Sequence, residues 1–493
     1  MPCTTLLVGK RASCDGSTLM ARNEDCGPSR FLAKTVEVIL PEHQPRHYKP
    51  VLSKAEIDLP DDPMRYTHCR NAKTDEGIWG AAGVNAANVA MTATETITSN
   101  ARVQGGDPLL VGDGIGEEDL VTLVLPYIRS AREGVLRLGA LLEAHGTYEM
   151  NGIGFQDADE IWWLETIGGH HWFARRVPDD CYAIVPNQQG IDRFDLADAF
   201  GERRAHLCSA DLIDFILDNH LDLTVREGDP RAALLRETAF DARAAFGSHD
   251  DADRVYNTPR AWFMARALSP NAFRWDGPDA DYTPESDDIP WCLAPARRIT
   301  VEDVKYALSG HYQGTPFDPY ARHGDPARRG SYRPIGINRN NVLVLTQLRP
   351  GVPAGIAAVE WVALASNAFN EMVPFYPNVN AVPAYLQCRQ DRVTTDALYW
   401  SSRLIGALAD AHYPRCASAV ERYQKAMQNA AHRLLKAFDA RAAALEGPAL
   451  TAFLEECNQK LADEARALTD DALAKVLYEA SLGMKNAFAR GDA

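Results

Sequence analysis

The stretch that decides the fold is MPCTTLLVGKRASCDGSTLMARNED, from Met1 to Asp25. Thr4 to Val8 is a short apolar and β-branched run, which predicts a buried strand. Asp15-Gly16 is a strong hairpin-turn signal, and the residues from Thr18 to Ala21 then predict a returning strand. This hairpin would bring Arg22 and Asp25 back beside the start of the chain.

A cysteine lies at position 3, at the start of the predicted hairpin. The thiolate is the reactive form of cysteine, and a nearby cation such as Arg22 favours it. If Met1 and Pro2 are removed, Cys3 carries a free α-amine with a pKa near ~8. That amine can act as the general base for its own thiol. Cys3 alone does not establish a nucleophile, because a free cysteine can also pack in a core as a small hydrophobic residue.

Several ordered segments resemble the cysteine-nucleophile dipeptidases, which are N-terminal-nucleophile (Ntn) hydrolases similar to penicillin V acylases and bile salt hydrolases. The first three segments are Cys3-Thr4-Thr5-x-x-Val8-Gly9, Asp15-Gly16-Ser17-Thr18 and Ala21-Arg22-Asn23-Glu24-Asp25. Later matches are Trp172-x-Ala174-x-Arg176-Val177-Pro178-Asp179-Asp180, His311-Tyr312-x-Gly314-Thr315-x-x-Asp318 and Arg333-Pro334-Ile335. The resemblance implies an α+β fold, the four-layer αββα sandwich of Ntn hydrolases.

The resemblance also implies a reaction and its residues. Cys3 would attack the peptide bond of a dipeptide and form a thioester, with Arg22 and Asp25 orienting the amine and lowering the pKa of the thiol. The side-chain amide of Asn187 would help to form the oxyanion hole. Arg333 would be a second active-site arginine that holds the thiolate or binds a substrate carboxylate, with Arg339 as a competitor for that role. The family implies neither a metal nor a cofactor.

A second stretch of interest for substrate binding is Val89-Ala90-Met91-Thr92-Ala93-Thr94-Glu95-Thr96. In the resembling family a strand here lines the site opposite the nucleophile. We therefore expect Thr94 and Glu95 to bind substrate, with a register uncertain by one residue.

The chain organisation predicts a catalytic domain over residues 1–390, in which residues 1–2 are a removed propeptide. Glu117 to His145 has helical spacing, with Pro126 predicting a kink or a late start and Gly146 a stop. Thr35 to Leu40 predicts a strand that continues the hairpin sheet. Residues of about 195–300 read as a helical insertion. Residues 391–493 are rich in good helix formers and predict helices that pack on the core and form an oligomer surface.

Composition narrows the class of protein. The chain has 493 residues, 46% of them hydrophobic and 24% charged, which is typical of a globular protein. A net charge of −16 gives no electrostatic support for a nucleic-acid partner. We find neither a signal-peptide pattern nor an apolar run long enough to span a bilayer. The ten cysteines form no CxxC pair, so we expect reduced thiols and a cytoplasmic location. The acidic charge and the missing apolar run predict no membrane association, and the C-terminal helices predict a homo-oligomer.

Two alternatives to a dipeptidase stay open at this point. One is an acylase of the same fold that cleaves N-acyl compounds. The other is a non-catalytic scaffold protein, because Pro2 would still cover Cys3 after removal of the initiator methionine.

Overall fold

The computed structural model describes residues 3–27, 29–92 and 95–484. In chain order, the strands are β1 Cys3–Val8, β2 Thr18–Asp25, β3 Lys34–Ile39, β4 His47–Tyr48, β5 Ile57–Asp58, β6 Tyr66–Asn71, β7 Ala82–Val84, β8 Ala90–Thr92, β9 Glu95–Thr96, β10 Asn151–Gln156, β11 Ile161–Thr166, β12 Trp172–Arg176, β13 Tyr182–Val185, β14 His206–Cys208, β15 Cys292–Leu293, β16 Asn340–Leu348, β17 Ala358–Leu364 and β18 Val373–Phe375. The α-helices are α1 Ala101–Gly106, α2 Leu120–Val124, α3 Ala131–His145, α4 Leu196–Ala199, α5 Leu212–Asp218, α6 Pro230–Leu234, α7 Ala242–Phe246, α8 Asp251–Tyr256, α9 Thr258–Leu268, α10 Val301–Leu308, α11 Ala354–Ala357, α12 Leu398–Ala411, α13 Tyr413–Ala442 and α14 Gly447–Ser481.

The predicted N-terminal hairpin is confirmed. β1 and β2 pair antiparallel with Cys3 opposite Glu24, and Gly16 takes a φ of 85° in the turn between them. The hairpin lies in the middle of a sheet of order β15-β13-β1-β2-β16-β17-β18. Every residue of β1 and β2 is buried, so the first strand lies inside the molecule.

A second sheet, of order β14-β12-β11-β10-β8-β7, packs face to face on the first. Side chains alternate between the faces of a strand. Leu7 and Met20 therefore join the core between the two sheets, whereas Leu6 and Ala21 join the core under α9 and α10. Helix α3 packs on the second sheet. The architecture is thus α+β, with helices on both sides of two facing sheets.

Two expectations about individual elements need adjustment. The stretch from Glu117 to His145 is split into α2 and α3, because Pro126 ends the first helix and Ser130 caps the second by accepting from Glu133 N–H. β3 does form, but it does not continue the hairpin sheet. Among the described strands it pairs only with β6, in a separate two-stranded ribbon, since β16 already occupies the edge of β2.

The C-terminal helices pack against β17 and β18 and against one another. α14 contributes Leu454 and Leu461 to the core under α10, and Ala465 and Val476 to a core shared with β16. Helix α14 therefore contributes side chains to two hydrophobic cores. None of the helices described is both long and apolar enough to cross a bilayer.

Candidate active site

Cys3 is fully buried at the first position of β1, on the face that looks toward the second sheet. Its Sγ accepts a hydrogen bond from Arg22 Nη2 at 2.9 Å. Its backbone N–H donates to Asn187 Oδ1 at 3.0 Å. The structure therefore brings three of the residues expected from sequence, Cys3, Arg22 and Asn187, to one point.

Arg22 lies on β2, on the same face of the sheet as Cys3. Glu117 accepts from Arg22 Nη2 at 2.5 Å, and the carbonyl of Ala81 accepts from Nη1 at 3.3 Å. Both side chains of the Arg22–Glu117 pair are almost completely buried. A buried carboxylate partner holds the guanidinium charged and in place, and a fixed cation stabilises a thiolate. Glu117 was not singled out from the sequence.

Burial among like charges raises the pKa values of three acids around Glu117. Burial and the charge of Asp119 raise the pKa of Glu118, and burial raises the pKa of Asp119. Burial and the charge of Glu117 raise the pKa of Glu149 to about 7. A raised pKa lowers the ionised fraction of each acid near neutral pH, so less negative charge surrounds Glu117.

Asn187 follows β13 and is held by several contacts to described residues. Its Oδ1 accepts from Cys3 N–H and also from Arg260 Nη2 at 2.9 Å. Its Nδ2 donates to the carbonyl of Thr96 at 2.9 Å, and its own carbonyl accepts from Asn257 Nδ2 at 3.0 Å. The side-chain amide is thus fixed beside the nucleophile, and the predicted oxyanion role of Asn187 stays a prediction.

Arg260 is a further site residue, which the sequence alone did not reveal. It lies on α9 and is completely buried, and its Nη1 donates to the carbonyl of Cys3 and to Thr4 Oγ1, the latter at 2.7 Å. Asn257-Thr258-Pro259 is a recognisable helix start. No local pattern, however, indicates that this helix faces Cys3, 257 residues earlier in the chain.

Asp25 and Arg333 form a buried ion pair with each other. Asn340 Nδ2 donates to the other oxygen of Asp25 at 2.8 Å. Burial alone would lower the pKa of Arg333, but the charge and hydrogen bond of Asp25, together with the nearby tyrosines, outweigh burial and raise the pKa. Asp25 lies three positions after Arg22, so strand alternation directs it to the opposite face of the sheet from Cys3. The roles expected for Asp25 and Arg333 in orienting the amine and binding substrate stay predictions.

Two other expected residues lie at the limits of the described structure. Thr94 is outside the described residues, and for Glu95 the structure gives the backbone only, in β9. Arg339, the competitor of Arg333, is half-buried and donates from Nη2 to the hydroxyl of Tyr256 at 3.4 Å. Over the described ranges, no group of three or more His, Cys, Asp or Glu side chains is placed to hold a metal ion.

Comparison with known proteins gives full-length relatives. The sequence model of Peptidase family C69 matches residues 2–426. A dipeptidase of Bifidobacterium longum is 50% identical over 541 residues, and a probable dipeptidase A of Streptococcus pyogenes is 51% identical over 492 residues. Each of these alignments covers 100% of both chains. A dipeptidase A of Lactobacillus helveticus is 43% identical, over 97% of this chain and 96% of its own.

Proposed function

The chain belongs to Peptidase family C69 and is a peptide-bond hydrolase, and we propose that it cleaves dipeptides with Cys3 as the nucleophile. The relatives that cover the whole chain are named dipeptidases, which supports this substrate class. The observation that carries the nucleophile assignment is the 2.9 Å hydrogen bond from buried Arg22 to Cys3 Sγ. A cation this close lowers the cost of forming a thiolate.

The proposed reaction has two halves. After removal of residues 1–2, the α-amine of Cys3 takes the thiol proton, and sulfur forms a bond to the scissile carbonyl carbon. The oxyanion is stabilised by hydrogen-bond donors at the site, with the Asn187 amide as the predicted side-chain donor. The α-ammonium then gives its proton to the leaving amine as the C–N bond breaks. Water attacks the thioester, releases the N-terminal amino acid and restores the thiol.

Arg260 fits this scheme as a positioning residue. Its guanidinium joins the carbonyl of Cys3 to Asn187 Oδ1, so one side chain fixes both the nucleophile and the predicted oxyanion donor. Removal of Met1 and Pro2 converts the N–H that now donates to Asn187 into the catalytic amine. Asn187 would then hold that amine in register with the thiol.

The finer fold assignment belongs to this proposal as well. Two facing sheets with helices on their outer sides support the αββα sandwich of Ntn hydrolases. We further propose that residues 1–390 form the catalytic domain with an insertion at about 195–300, and that residues 391–493 pack on it. The homo-oligomer and the cytoplasmic location remain predictions.

The proposal is tested by replacing Cys3 and by finding the mature N-terminus. We expect intact mass and N-terminal sequencing to give a chain that begins at Cys3. Cys3→Ser should lower kcat/KM for dipeptides by about 1,000-fold or more, because a hydroxyl is a far weaker nucleophile at neutral pH. Cys14→Ser, at an exposed cysteine of the hairpin turn, is the matched control and should keep wild-type activity.

Other results would replace the proposal. A Cys3→Ser enzyme that works at the wild-type rate would remove the nucleophile assignment. Cleavage of penicillin V with no cleavage of a dipeptide panel would indicate an acylase. A chain that still begins at Met1 or Pro2 and cleaves neither would indicate a scaffold protein.

A further inference from the structure

A cleft lined by arginines opens at the end of the sheet where the active site lies. It has a volume of about 500 Å³ and is lined by residues after β2, before β16 and on α12. Three of its side chains are cations, Arg30, Arg339 and Arg403, and one is an acid, Asp410. This is a local excess of positive charge in a protein with a net charge of −16. Such a cleft is suited to an anionic ligand.

Two of these arginines, Arg339 and Arg403, have no acid partner in the part of the chain that the structure describes. Arg339 donates to the hydroxyl of Tyr256, and its buried Nε has no hydrogen-bond partner among the described residues. Arg403 donates to the carbonyl of Asn338 at 2.9 Å and stacks on the ring of Phe31 at 4.5 Å. The charges of both guanidinium groups are therefore open to a bound anion.

The acid in the cleft does not neutralise these cations. Asp410 Oδ1 accepts from the hydroxyl of Tyr320, and its Oδ2 accepts from Asn338 Nδ2 at 3.5 Å. Arg30 reaches Glu76 only at 3.5 Å, and both side chains are exposed. Exposed ion pairs of this kind contribute little free energy. The guanidinium of Arg339 is therefore the one best placed to take a planar anion.

Arg339 is also connected to the nucleophile by a short series of contacts. Its carbonyl accepts from Cys26 N–H at 3.1 Å, immediately after β2, the strand that pairs with Cys3. Its Nη2 touches the hydroxyl of Tyr256, and the guanidinium of Arg260 covers the ring of Tyr256 at 5.1 Å. Arg260 in turn donates to the carbonyl of Cys3. Tyr256 and Arg260 thus connect Arg339 of the cleft to the nucleophile.

We propose that Arg339 binds the α-carboxylate of the C-terminal residue of the dipeptide, with Arg403 adding positive charge behind it. In a dipeptide the scissile carbonyl and the terminal carboxylate are one residue apart, at most about 3.6 Å along the backbone. Guanidinium and carboxylate form two parallel hydrogen bonds. A fixed carboxylate site beside the nucleophile would select dipeptides over longer chains, whose carboxylate lies further from the scissile bond. The inference rests on the proposed dipeptidase function and assigns one substrate-binding residue to it.

The test compares the best dipeptide of a panel with the same dipeptide carrying a C-terminal amide. We expect wild-type kcat/KM to be about 10- to 100-fold higher for the free acid, as for other charge-assisted hydrogen bonds. Arg339→Gln should remove this preference, because it should lower kcat/KM for the free-acid dipeptide and leave kcat/KM for the amide unchanged. Arg339→Lys keeps the charge without the two-pronged geometry and should give an intermediate preference. Arg433→Gln, at an exposed arginine on α13, should behave as wild type.

The outcomes separate this inference from the function on which it rests. A wild-type enzyme that cleaves no dipeptide would end the proposed function itself. A wild-type enzyme that cleaves acid and amide equally well, or an Arg339→Gln enzyme that keeps the preference, would end the carboxylate assignment alone.

A second measurement does not depend on the folding of a variant. Inorganic phosphate should inhibit the wild-type enzyme competitively with the free-acid dipeptide, because both anions would occupy the same cleft. Inhibition by phosphate that is not competitive would indicate an anion site separate from the substrate, and would overturn the proposal.

Discussion

At the scale of the residue, the site depends on which side chains share one point with Cys3. Arg260 Nη1 and Nη2 together contact the carbonyl of Cys3, Thr4 Oγ1 and Asn187 Oδ1. A lysine at this position keeps the positive charge but presents a single nitrogen, so it cannot hold both the strand and the asparagine. The geometry of the nucleophile would then be less well fixed.

We therefore expect Arg260→Lys to lower kcat for dipeptides by about 100-fold, with KM changed only a few-fold, because the contacts of Arg260 are to the chain itself. Steady-state kinetics beside a thermal melt measure this. Arg266→Lys on the same helix, at a partly exposed ion pair with Asp276, is the control. Wild-type kcat in Arg260→Lys would show that Arg260 does not position the nucleophile.

The sequence predicted that Arg22 would lie beside Cys3, and a local motif encodes this proximity. Cys3 and Arg22 meet because a hairpin turn brings one strand back along the other, which adjacent residues encode. Arg260 reaches the site around Cys3 through the packing of α9, and Glu117 reaches it through the path of the loop before α2. Neither is encoded by spacing within the sequence, so sequence reasoning could not single them out.

At the scale of the element, Glu360 joins strands of different sheets. It lies on β17, and one of its oxygens accepts from Thr67 on β6, whose hydroxyl oxygen accepts from Val84 N–H on β7. Burial raises the pKa of Glu360 to about 8, against an ordinary value of 4.5. The folded state therefore holds a proton here that the unfolded chain releases above about pH 4.5.

The sign of the effect on stability follows from this uptake of a proton. Between the unfolded and the folded pKa the native state binds more protons, so the stability contributed by Glu360 falls as the pH rises from about 4.5 through about 8. Glu360→Gln removes this pH-dependent loss of stability, because the glutamine amide does not titrate, and it keeps the shape of the side chain. We expect it to raise the free energy of unfolding by about 2–4 kcal/mol at pH 9 and to change it little at pH 5. Urea titrations at both pH values measure this, and an equal effect at the two pH values would contradict it.

Element boundaries were easier to predict than element partners. Alternation in Thr35 to Leu40 correctly indicated a strand, now β3 at Lys34–Ile39. The same pattern could not indicate that its partner would be β6, because any strand edge of matching polarity satisfies it. Pro126 likewise predicted the interruption between α2 and α3, since the effect of proline on a helix is local.

At the scale of the whole molecule, the question is whether the C-terminal helices unfold with the sheets or apart from them. Leu454 and Leu461 of α14 belong to the core that also holds Leu6 and Leu345 of the first sheet. A buried side chain shared by both regions couples their stabilities. The sequence predicted helices here from composition, but composition carries no information on which strands they would cover.

We expect Leu454→Ala to destabilise the protein by about 2–5 kcal/mol, the usual cost of emptying a fully buried leucine site. Loss of helix by circular dichroism and loss of dipeptidase activity should then occur at the same urea concentration, since the cavity weakens one shared core. Leu477→Ala on the same helix, where the side chain is 51% exposed, should change stability by no more than about 0.5 kcal/mol. If activity persisted after the helices of Leu454→Ala had melted, residues 391–493 would be an independent domain, and the catalytic region would keep its active site without them.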